Sequence, residues 1–278
     1  MSPVIAEISK RYNQNLKIKA KKSLGQNFLT NQNIPNQIAN HVGLIEDESV
    51  IEIGPGLGVL SEAIAAICQP AKLILVEKDR ELIPQLEALK HKYNNPGSIQ
   101  IINSDALSID EQKLLMGYNG KTRIIANLPY NISTELLFKW LEIIQFFASI
   151  TIMVQLEVAK RIVSLPKNKS YGWISIISQL LCNTEIIMQI SPENFWPAPK
   201  VMSAVVHLVP RDNVIPHDKA KLKKLVKTAF LHRRKTLRNT ISEMVSWEEA
   251  AKIHVYPQMR PEELSVEQWA DLSLLPQI

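Results

Sequence analysis

The residues with the clearest chemical meaning form one short run, Asn127-Leu128-Pro129-Tyr130, directly after an apolar, β-branched segment. A side-chain amide, a proline turn and an aromatic ring together suit a planar base that carries an exocyclic amine. The amide oxygen accepts a hydrogen bond from such an amine, and the ring stacks on the base. These four residues can also form a simple turn, but they follow a predicted strand and lie downstream of a glycine-rich turn. The run therefore predicts a base-binding site.

The glycine-rich turn at residues 54–58 follows the predicted strand that contains Glu52. A dinucleotide-binding G-x-G-x-x-G turn needs its third glycine at position 59, where this chain has Val59. A carboxylate before the turn repels a pyrophosphate and attracts a cation. The turn therefore favours a positively charged adenosyl ligand over NAD and weakens a dehydrogenase interpretation. A turn that only packs a strand against a helix is the structural alternative.

Acidic residues also follow the next two predicted strands. Glu77 lies 23 residues beyond Gly54, where a carboxylate can accept both hydroxyls of a ribose. Asp105 can accept from the exocyclic amine of adenine, although an isolated Asp in a loop is more often a turn former. Asp79 is better explained as an exposed helix cap. The sequence thus predicts a nucleoside site at the ends of these strands.

Strand and helix patterns alternate up to about residue 209, which indicates βαβ units and a mainly parallel sheet. In such a sheet, ligands bind at the carboxyl ends of the strands, where the residues above lie. Strands are predicted at 49–53, 72–76, 99–102, 123–126, 150–155, 184–190 and 203–209. Helices are predicted at about 34–42, 58–67, 80–92, 133–145, 156–164 and 172–182.

Residues 211–216 have the composition of a linker. Only helical patterns follow this segment, at about 218–231, 234–245, 247–253 and 262–273. The length of 278 residues also exceeds that of a usual single domain. The sequence therefore predicts two domains, 1–210 and 211–278, of which the second is small and all-helical.

The net charge of +5 is concentrated at particular places along the chain. Residues 1–30 have a balance of +5, mostly from 10–22, and residues 219–240 have a balance of +9, so the remaining residues together have a balance of −9. Such segregation favours a polyanionic partner, although a lysine-rich helix can also be a solvated face. The candidate phosphate-binding residues in the second segment are Lys223, Lys227, Arg233, Arg234, Lys235 and Arg238.

The composition is that of an ordinary globular protein, with 46% hydrophobic and 21% charged residues. Cys68 and Cys182 have neither metal-ligand nor disulfide spacing, so we expect a reducing, cytoplasmic environment and no metal. Apolar runs such as 146–154 are shorter than a membrane span, and an apolar signal core is missing near the N-terminus. We therefore expect neither a membrane protein nor a secreted protein.

The chain resembles the bacterial small-subunit ribosomal RNA adenine dimethyltransferases, within the class of S-adenosylmethionine-dependent methyltransferases. The resemblance covers nearly the whole length. Its motifs are GQNFL at 25–29, EIGPGLG at 52–58, NLPY at 127–130, FWPAPKV at 195–201 and RRKTLRN at 233–239. Related methyltransferases that modify large-subunit RNA usually carry Lys at the position of Leu57. The resemblance implies a Rossmann-like, seven-stranded class I methyltransferase sheet with a small all-helical C-terminal domain.

The same resemblance implies an activity and a cofactor site. The activity is the transfer of two methyl groups from S-adenosylmethionine to the exocyclic amine of adenines, on two adjacent adenosines near the 3′ end of 16S ribosomal RNA. The implied partner is the RNA of an immature small subunit, with the enzyme a monomer. The implied cofactor-binding residues are Asn27 and Leu29 closing over the cofactor, Gly54 under its methionine portion, Glu77 on the ribose, Asp105 on the adenine, and Asn127.

For the target base, the resemblance implies that Asn127 and Leu128 bind the amine. Tyr130 and Phe195 are implied to stack on the two faces of the base. The chain departs from the family pattern at four positions, which are Asn31, Ser104, Trp173 and Met202. These departures leave the cofactor chemistry intact and bear on RNA contacts near Trp173.

Two other classes of function are compatible with parts of the pattern. An RNA-binding assembly factor on an inactive methyltransferase fold predicts damage to Glu77, Asp105 or Asn127, and all three are present. A DNA adenine methyltransferase is the nearest enzymatic rival.

Overall fold

The strands coincide with the apolar, β-branched segments of the sequence. The computed structural model describes residues 19–92, 98–115 and 121–276. Its strands are β1 (Phe28–Leu29), β2 (Ser49–Ile53), β3 (Lys72–Glu77), β4 (Ile99–Asn103), β5 (Thr122–Asn127), β6 (Phe147–Gln155), β7 (Cys182–Ile190), β8 (Phe195–Trp196) and β9 (Ser203–Pro210). Each of the seven predicted strands lies within one of these, so those predictions are confirmed.

One sheet contains seven of the strands, in the order β4-β3-β2-β5-β6-β9-β7. Strand β2 is parallel to β3 and β5, β3 is parallel to β4, and β5 is parallel to β6. All five residues of β2 are buried, as expected for a parallel strand that is covered on both faces. Because parallel strands end at the same edge, Ile53 pairs with Val76 and Glu77 pairs with Asn103 there.

Helices occupy most of the chain between and after these strands. They are Asn33–Val42, Val59–Ala63, Ile83–Lys92, Glu111–Leu115, Ser133–Leu141, Leu156–Ile162, Trp173–Leu181, Lys219–Leu231, Arg238–Ile241, Trp247–Lys252 and Val266–Leu274. The helix predicted at about 234–245 begins only at Arg238. The preceding residues form a turn, in which the backbone N–H of Lys235 donates to the carbonyl of His232.

The two-residue strands β1 and β8 form a separate antiparallel pair that the sequence did not predict, because two residues show no periodicity. Phe28 pairs with Trp196, and Leu29 pairs with Phe195. The rings of Phe28 and Trp196 are stacked, with centroids 6.3 Å apart. This pairing joins the GQNFL motif to the FWPAPKV motif.

Two compact units are distinguished by their internal packing. One comprises residues 1–156 and 186–207, and the other comprises 157–185 and 208–278. The core of the second unit contains Ile176 and Leu180 together with Leu225, Trp269 and Leu272 from the C-terminal helices. The edge of this unit therefore differs from the predicted boundary at residue 210, because helix Trp173–Leu181 packs with the C-terminal helices. The division into domains 1–210 and 211–278 stays a prediction.

Part of the basic N-terminal segment, including Lys10, Arg11 and Lys17, lies outside the described residues. Across the ranges that are described, every helix is too short or too polar to cross a membrane.

Candidate active site

A cavity opens at the carboxyl edge of the sheet. Five segments line this cavity, at 23–29, 52–60 (except Gly58), 76–78, 104–107 and 127–132. They contain most of the predicted site residues, namely Asn27, Leu29, Gly54, Glu77, Asp105, Asn127, Leu128 and Tyr130. Residues from motifs up to about a hundred positions apart in the chain thus meet at one place.

The glycine turn allows the backbone to approach its neighbours closely. Gly54 and Gly56 have φ angles of 65° and 59°, in the left-handed region that other residues rarely adopt. A Cβ atom at Gly56 would lie 3.2 Å from the Phe28 ring. The turn therefore packs under the N-terminal strand β1, and larger residues at position 56 would displace the Phe28 ring.

Glu77 lies at the end of β3 and is only 5% exposed. Its carboxylate accepts from the backbone N–H of Gly56 at 3.0 Å and from that of Asp79 at 2.7 Å. Burial raises the pKa of Glu77, and these backbone donors partly oppose the rise. Since each carboxylate oxygen can accept more than one hydrogen bond, the group can also accept from a bound diol.

Asp105 follows β4 and holds its own turn together. One carboxylate oxygen accepts from the backbone N–H of Leu107 at 3.0 Å, and the other contacts the Lys78 ammonium at 2.7 Å. The Lys78 ammonium, together with the Leu107 N–H, lowers the pKa of Asp105. Asp105 is therefore a strong acceptor, which an entering amine would share with Lys78.

The prediction that Asp79 is exposed is wrong, although its capping role is confirmed. Asp79 is 4% exposed and accepts from the backbone N–H of Glu81 at 3.1 Å. Its carboxylate also accepts from the Lys21 ammonium at 2.7 Å and from the Gln26 side chain at 2.9 Å. Asp79 therefore anchors the N-terminal segment that lines the cavity, and Lys21 is engaged in this contact.

The Asn127 amide is oriented by the main chain of Asn27. The Asn127 Nδ2 donates to the Asn27 carbonyl at 3.3 Å, and the Asn27 side chain donates to the Gly25 carbonyl at 3.1 Å. With the donor end of the amide held in this way, the Asn127 Oδ1 is the end available as an acceptor. The backbone N–H of Leu128 donates to Met153 at 3.2 Å.

Tyr130 is held at its hydroxyl by a residue that the sequence analysis missed. The Tyr130 hydroxyl lies 2.6 Å from the Ser203 hydroxyl, and Ser203 is fully buried. Burial raises the pKa of Tyr130, while the Ser203 hydrogen bond opposes the rise. Ser203 lies two residues after the FWPAPKV motif, so its position beside a conspicuous motif was the available signal.

Phe195 does not lie on the cavity. It is 4% exposed and belongs to the hydrophobic core that also contains Leu29. The predicted stacking of Phe195 on a bound base stays a prediction.

Asn31, one of the four departures from the family pattern, makes two contacts within the protein. Its side chain donates to the Asn194 side chain at 2.9 Å and accepts from the backbone N–H of Asn33 at 3.0 Å, so it still caps the local backbone.

The basic residues of the second unit differ in their surroundings. Lys223, Lys227, Arg234, Lys235 and Arg238 are exposed. By contrast, Lys221 is 9% exposed, and its ammonium binds the Leu275 carbonyl. The charge of Lys221 therefore stabilises the second unit itself.

Arg233 also makes contacts within the protein. Its guanidinium donates to the carbonyls of Asn168, at 2.8 Å, and Lys169. The loop that carries Lys167 and Lys169 is held by this contact, and the Lys167 N–H donates to the Glu262 carbonyl at 2.6 Å. Arg233 therefore fixes a second basic loop within this unit.

Glu52 is the most deeply buried acidic group that lines the cavity. It is 1% exposed, and its Oε2 has no hydrogen-bond partner within the described part of the chain. Burial raises the pKa of Glu52 from 4.5 to about 8, and the charge of Glu77 acts in the same direction. A cationic group bound in the cavity would stabilise the ionised form.

Glu52→Gln is expected to gain stability over the wild type as the pH rises. The folded-state pKa of about 8 lies above the ordinary value of 4.5, so unfolding releases a proton between these values. The stabilising contribution of the protonated group is complete below pH 4.5 and is lost as the pH rises through about 8. Urea denaturation across this range measures the effect, with exposed Glu46→Gln as the control. Parallel pH profiles for wild type and Glu52→Gln would contradict the assignment.

The strand order, the glycine turn and the acidic residues at the strand ends define the Rossmann-like fold of the class I methyltransferases. A dimethyladenosine transferase from Plasmodium falciparum has the same fold, with a TM-score of 0.73 at 20% identity over 88% of this chain and 95% of that one. The 23S rRNA methyltransferase ErmE matches with a TM-score of 0.67 at 23% identity, over 88% and 98% of the two chains.

The sequence comparisons give the family. The model of the ribosomal RNA adenine dimethylase family matches residues 17–277. The Ribosomal RNA small subunit methyltransferase A of Ehrlichia chaffeensis is 41% identical over 263 residues, which are 92% of this chain and 97% of that protein. The chain therefore belongs to the ribosomal RNA adenine dimethylase family. The predictions of this family, of the methyltransferase fold and of an enzyme are confirmed.

Proposed function

We propose that the chain transfers two methyl groups from S-adenosylmethionine to the exocyclic amine of each of two adjacent adenosines near the 3′ end of 16S ribosomal RNA. The observation that carries this proposal is the Asn127 amide, whose donor end is held by Asn27 in a cavity that Tyr130 also lines. Such an amide presents its oxygen to an amine. Membership of the family supports the substrate.

The residues present fit S-adenosylmethionine. Glu77 would accept the ribose hydroxyls, Asp105 would accept from the adenine amine, and Gly54 would lie under the methionine portion. Asn27 and Leu29 would close over the cofactor. The Oε2 of Glu52, which is buried and has no hydrogen-bond partner among the described residues, suits a cationic ligand. When bound, the cofactor supplies an electrophilic methyl group on a sulfonium.

The target nitrogen is a poor nucleophile because its lone pair is delocalised into the adenine ring. Hydrogen bonds from the amine to the Asn127 Oδ1 and the Leu128 carbonyl would favour a tetrahedral nitrogen and aim the lone pair at the methyl group. Tyr130 would stack on one face of the base. The family pattern implies Phe195 on the other face, for which its buried ring would have to become accessible to the base. Transfer would form an N–C bond as the sulfonium S–C bond breaks, with S-adenosylhomocysteine as the leaving group, and the nitrogen would then release a proton to solvent. This displacement requires positioning rather than a metal or a strong base.

The partner that we infer is the RNA of an immature small ribosomal subunit. The exposed basic residues Lys223, Lys227, Arg234, Lys235 and Arg238 would bind its phosphates, and Arg233 would hold the neighbouring loop. We infer a monomer that works in the cytoplasm, where bacterial subunits assemble.

Exhaustive methylation is expected to yield dimethyladenosine. After the first transfer, one hydrogen remains on the nitrogen and can bond either Asn127 or Leu128, so the monomethyl product can be accepted again. The measurement is nucleoside analysis of unmethylated small subunits after reaction with S-adenosylmethionine. A product that stays monomethylated would contradict double transfer, and binding of NAD in preference to S-adenosylmethionine would contradict the whole proposal.

Ser203→Ala is expected to lower kcat about fivefold, the effect of losing one hydrogen bond of about 1 kcal/mol that orients Tyr130. Tyr130→Phe removes the same hydrogen bond from its other side and keeps the ring. The double variant should therefore be no slower than either single variant. Methyl-transfer rates of the three variants test this, and fully additive losses would show that Ser203 acts independently of Tyr130.

A further inference from the structure

The Asp105 turn is held by a lysine that is far from it in the sequence. The Lys139 ammonium donates to the carbonyls of Ala106, at 3.1 Å, and Ile109. It also contacts the Glu111 carboxylate at 2.9 Å. Lys139 therefore binds three acceptors on the segment that follows β4.

Glu111 is a buried member of the same cluster. It is 1% exposed, and it accepts from the fully buried Trp140 indole N–H at 2.9 Å. A buried carboxylate without partners is costly, so the ammonium and the indole together keep it in place. Because both donors lie on helix Ser133–Leu141, this cluster attaches the turn to that helix.

The same helix begins just after the NLPY motif, and the Ser133 hydroxyl donates to the Tyr130 carbonyl at 3.0 Å. One end of the helix thus contacts the proposed target-base segment, and Lys139 contacts the proposed adenine-binding turn. Within that turn, Asp105 accepts from the Leu107 N–H at 3.0 Å. The carbonyls of Ala106 and Ile109 are fixed from outside by Lys139.

We propose that Lys139 is a positioning residue, which holds the turn so that the Asp105 carboxylate meets the 6-amino group of the cofactor adenine. The inference rests on the proposed function, because it assumes that the cavity takes an adenosyl cofactor. Without Lys139, the carbonyls of Ala106 and Ile109 lose their shared donor and Glu111 loses its counter-ion. The turn can then shift, and a hydrogen bond weakens steeply when its geometry is lost.

The test compares S-adenosylhomocysteine with S-inosylhomocysteine, in which an oxygen replaces the 6-amino group. Calorimetry measures the affinity of each compound for wild type and for Lys139→Met. We expect the variant to bind S-adenosylhomocysteine about tenfold more weakly, the loss of one hydrogen bond to a charged group. Its affinity for S-inosylhomocysteine should stay unchanged, so the preference for the amine disappears. Equal weakening of both compounds would show a general structural role and overturn the proposal.

Two further variants complete the design. Lys113→Met removes an exposed lysine close by in the chain and should leave both affinities unchanged. Asp105→Asn should itself reduce the preference, and Lys139→Met should then add little to it. If Lys139→Met does not fold, Glu111→Gln removes the same ion pair and should also reduce the preference; an unchanged preference in that variant would overturn the proposal.

Failure of this inference is distinguishable from failure of the proposed function. A wild-type protein that binds neither compound would contradict the adenosyl site itself. A wild type that prefers S-adenosylhomocysteine, with a folded Lys139→Met variant that keeps the full preference, would contradict only the role of Lys139.

Discussion

Asn127→Ala is expected to lower kcat by about 10²-fold or more, while the affinity for S-adenosylmethionine changes by no more than a few-fold. The amide oxygen of Asn127 would bind the reacting amine, and this contact strengthens as the nitrogen becomes tetrahedral. Its removal therefore affects the transition state more than cofactor binding. Single-turnover methylation and equilibrium cofactor binding measure the two effects separately, with exposed Asn40→Ala as the control.

The Asn127→Asp variant tests the donor end of the amide separately from its acceptor end. It keeps an acceptor but replaces the Nδ2 that donates to the Asn27 carbonyl with a second oxygen. Two acceptors then face each other, so the side chain should turn away and Asn127→Asp should also be slow. Near-normal turnover of Asn127→Ala would contradict the mechanism, and a fully active Asn127→Asp would show that Asn27 does not orient the amide.

The sequence predicted the sheet and the edge at which the site lies because both depend on local patterns. Buried parallel strands are continuous apolar runs, and polar residues directly after such strands must meet at one edge. Glu77, Asp105 and Asn127 were located by this reasoning. Their proposed roles still require the experiments above.

Contacts between distant residues could not be predicted in the same way. Asp79 was interpreted as exposed because its partners Lys21 and Gln26 lie more than fifty positions away. Lys139 gave no signal, because a lysine in an amphipathic helix resembles a solvated residue. The β1 and β8 strands were missed because a two-residue pair depends on long-range packing rather than on periodicity.

In the basic segment at 219–240, too, contacts between distant residues could not be predicted from the sequence, and here they change the proposed roles in RNA binding. From the sequence, Arg233, Arg234 and Lys235 were all predicted to bind phosphate. In the structure, Arg234 and Lys235 are exposed, whereas Arg233 donates to the carbonyls of Asn168 and Lys169. Arg234 and Lys235 can therefore each bind a phosphate directly. Arg233 would act through the position of the loop that it holds.

Immature, unmethylated small subunits are expected to be methylated at least about tenfold faster than a short isolated RNA hairpin made to contain the target adenosines, since one lost charge-assisted contact already has that effect. Phosphate attraction alone gives affinity for any RNA, so selectivity must come from the arrangement of several RNA elements. A hairpin presents the adenosine to Tyr130 but lacks the further RNA elements that the basic residues would bind. Methyl-transfer rates on the two substrates at equal salt measure this difference, and equal rates would contradict it.

Replacing Arg233, Arg234 and Lys235 together by alanine should weaken subunit binding and flatten its salt dependence, with S-adenosylmethionine binding unchanged. Each phosphate contact contributes about 0.7 to 0.9 to the slope of log affinity against log salt. Arg234→Ala and Lys235→Ala should each lower the slope by about this amount, and Lys252→Ala, which removes a lysine paired with Glu249, should not. Arg233→Ala should weaken binding only through the loop that carries Lys167 and Lys169. Arg233→Lys should not restore binding fully, since Arg233 reaches the two carbonyls through two separate nitrogens of a planar guanidinium, which the shorter, single-nitrogen lysine head does not reproduce. Full subunit affinity in the triple variant would remove the case for this surface.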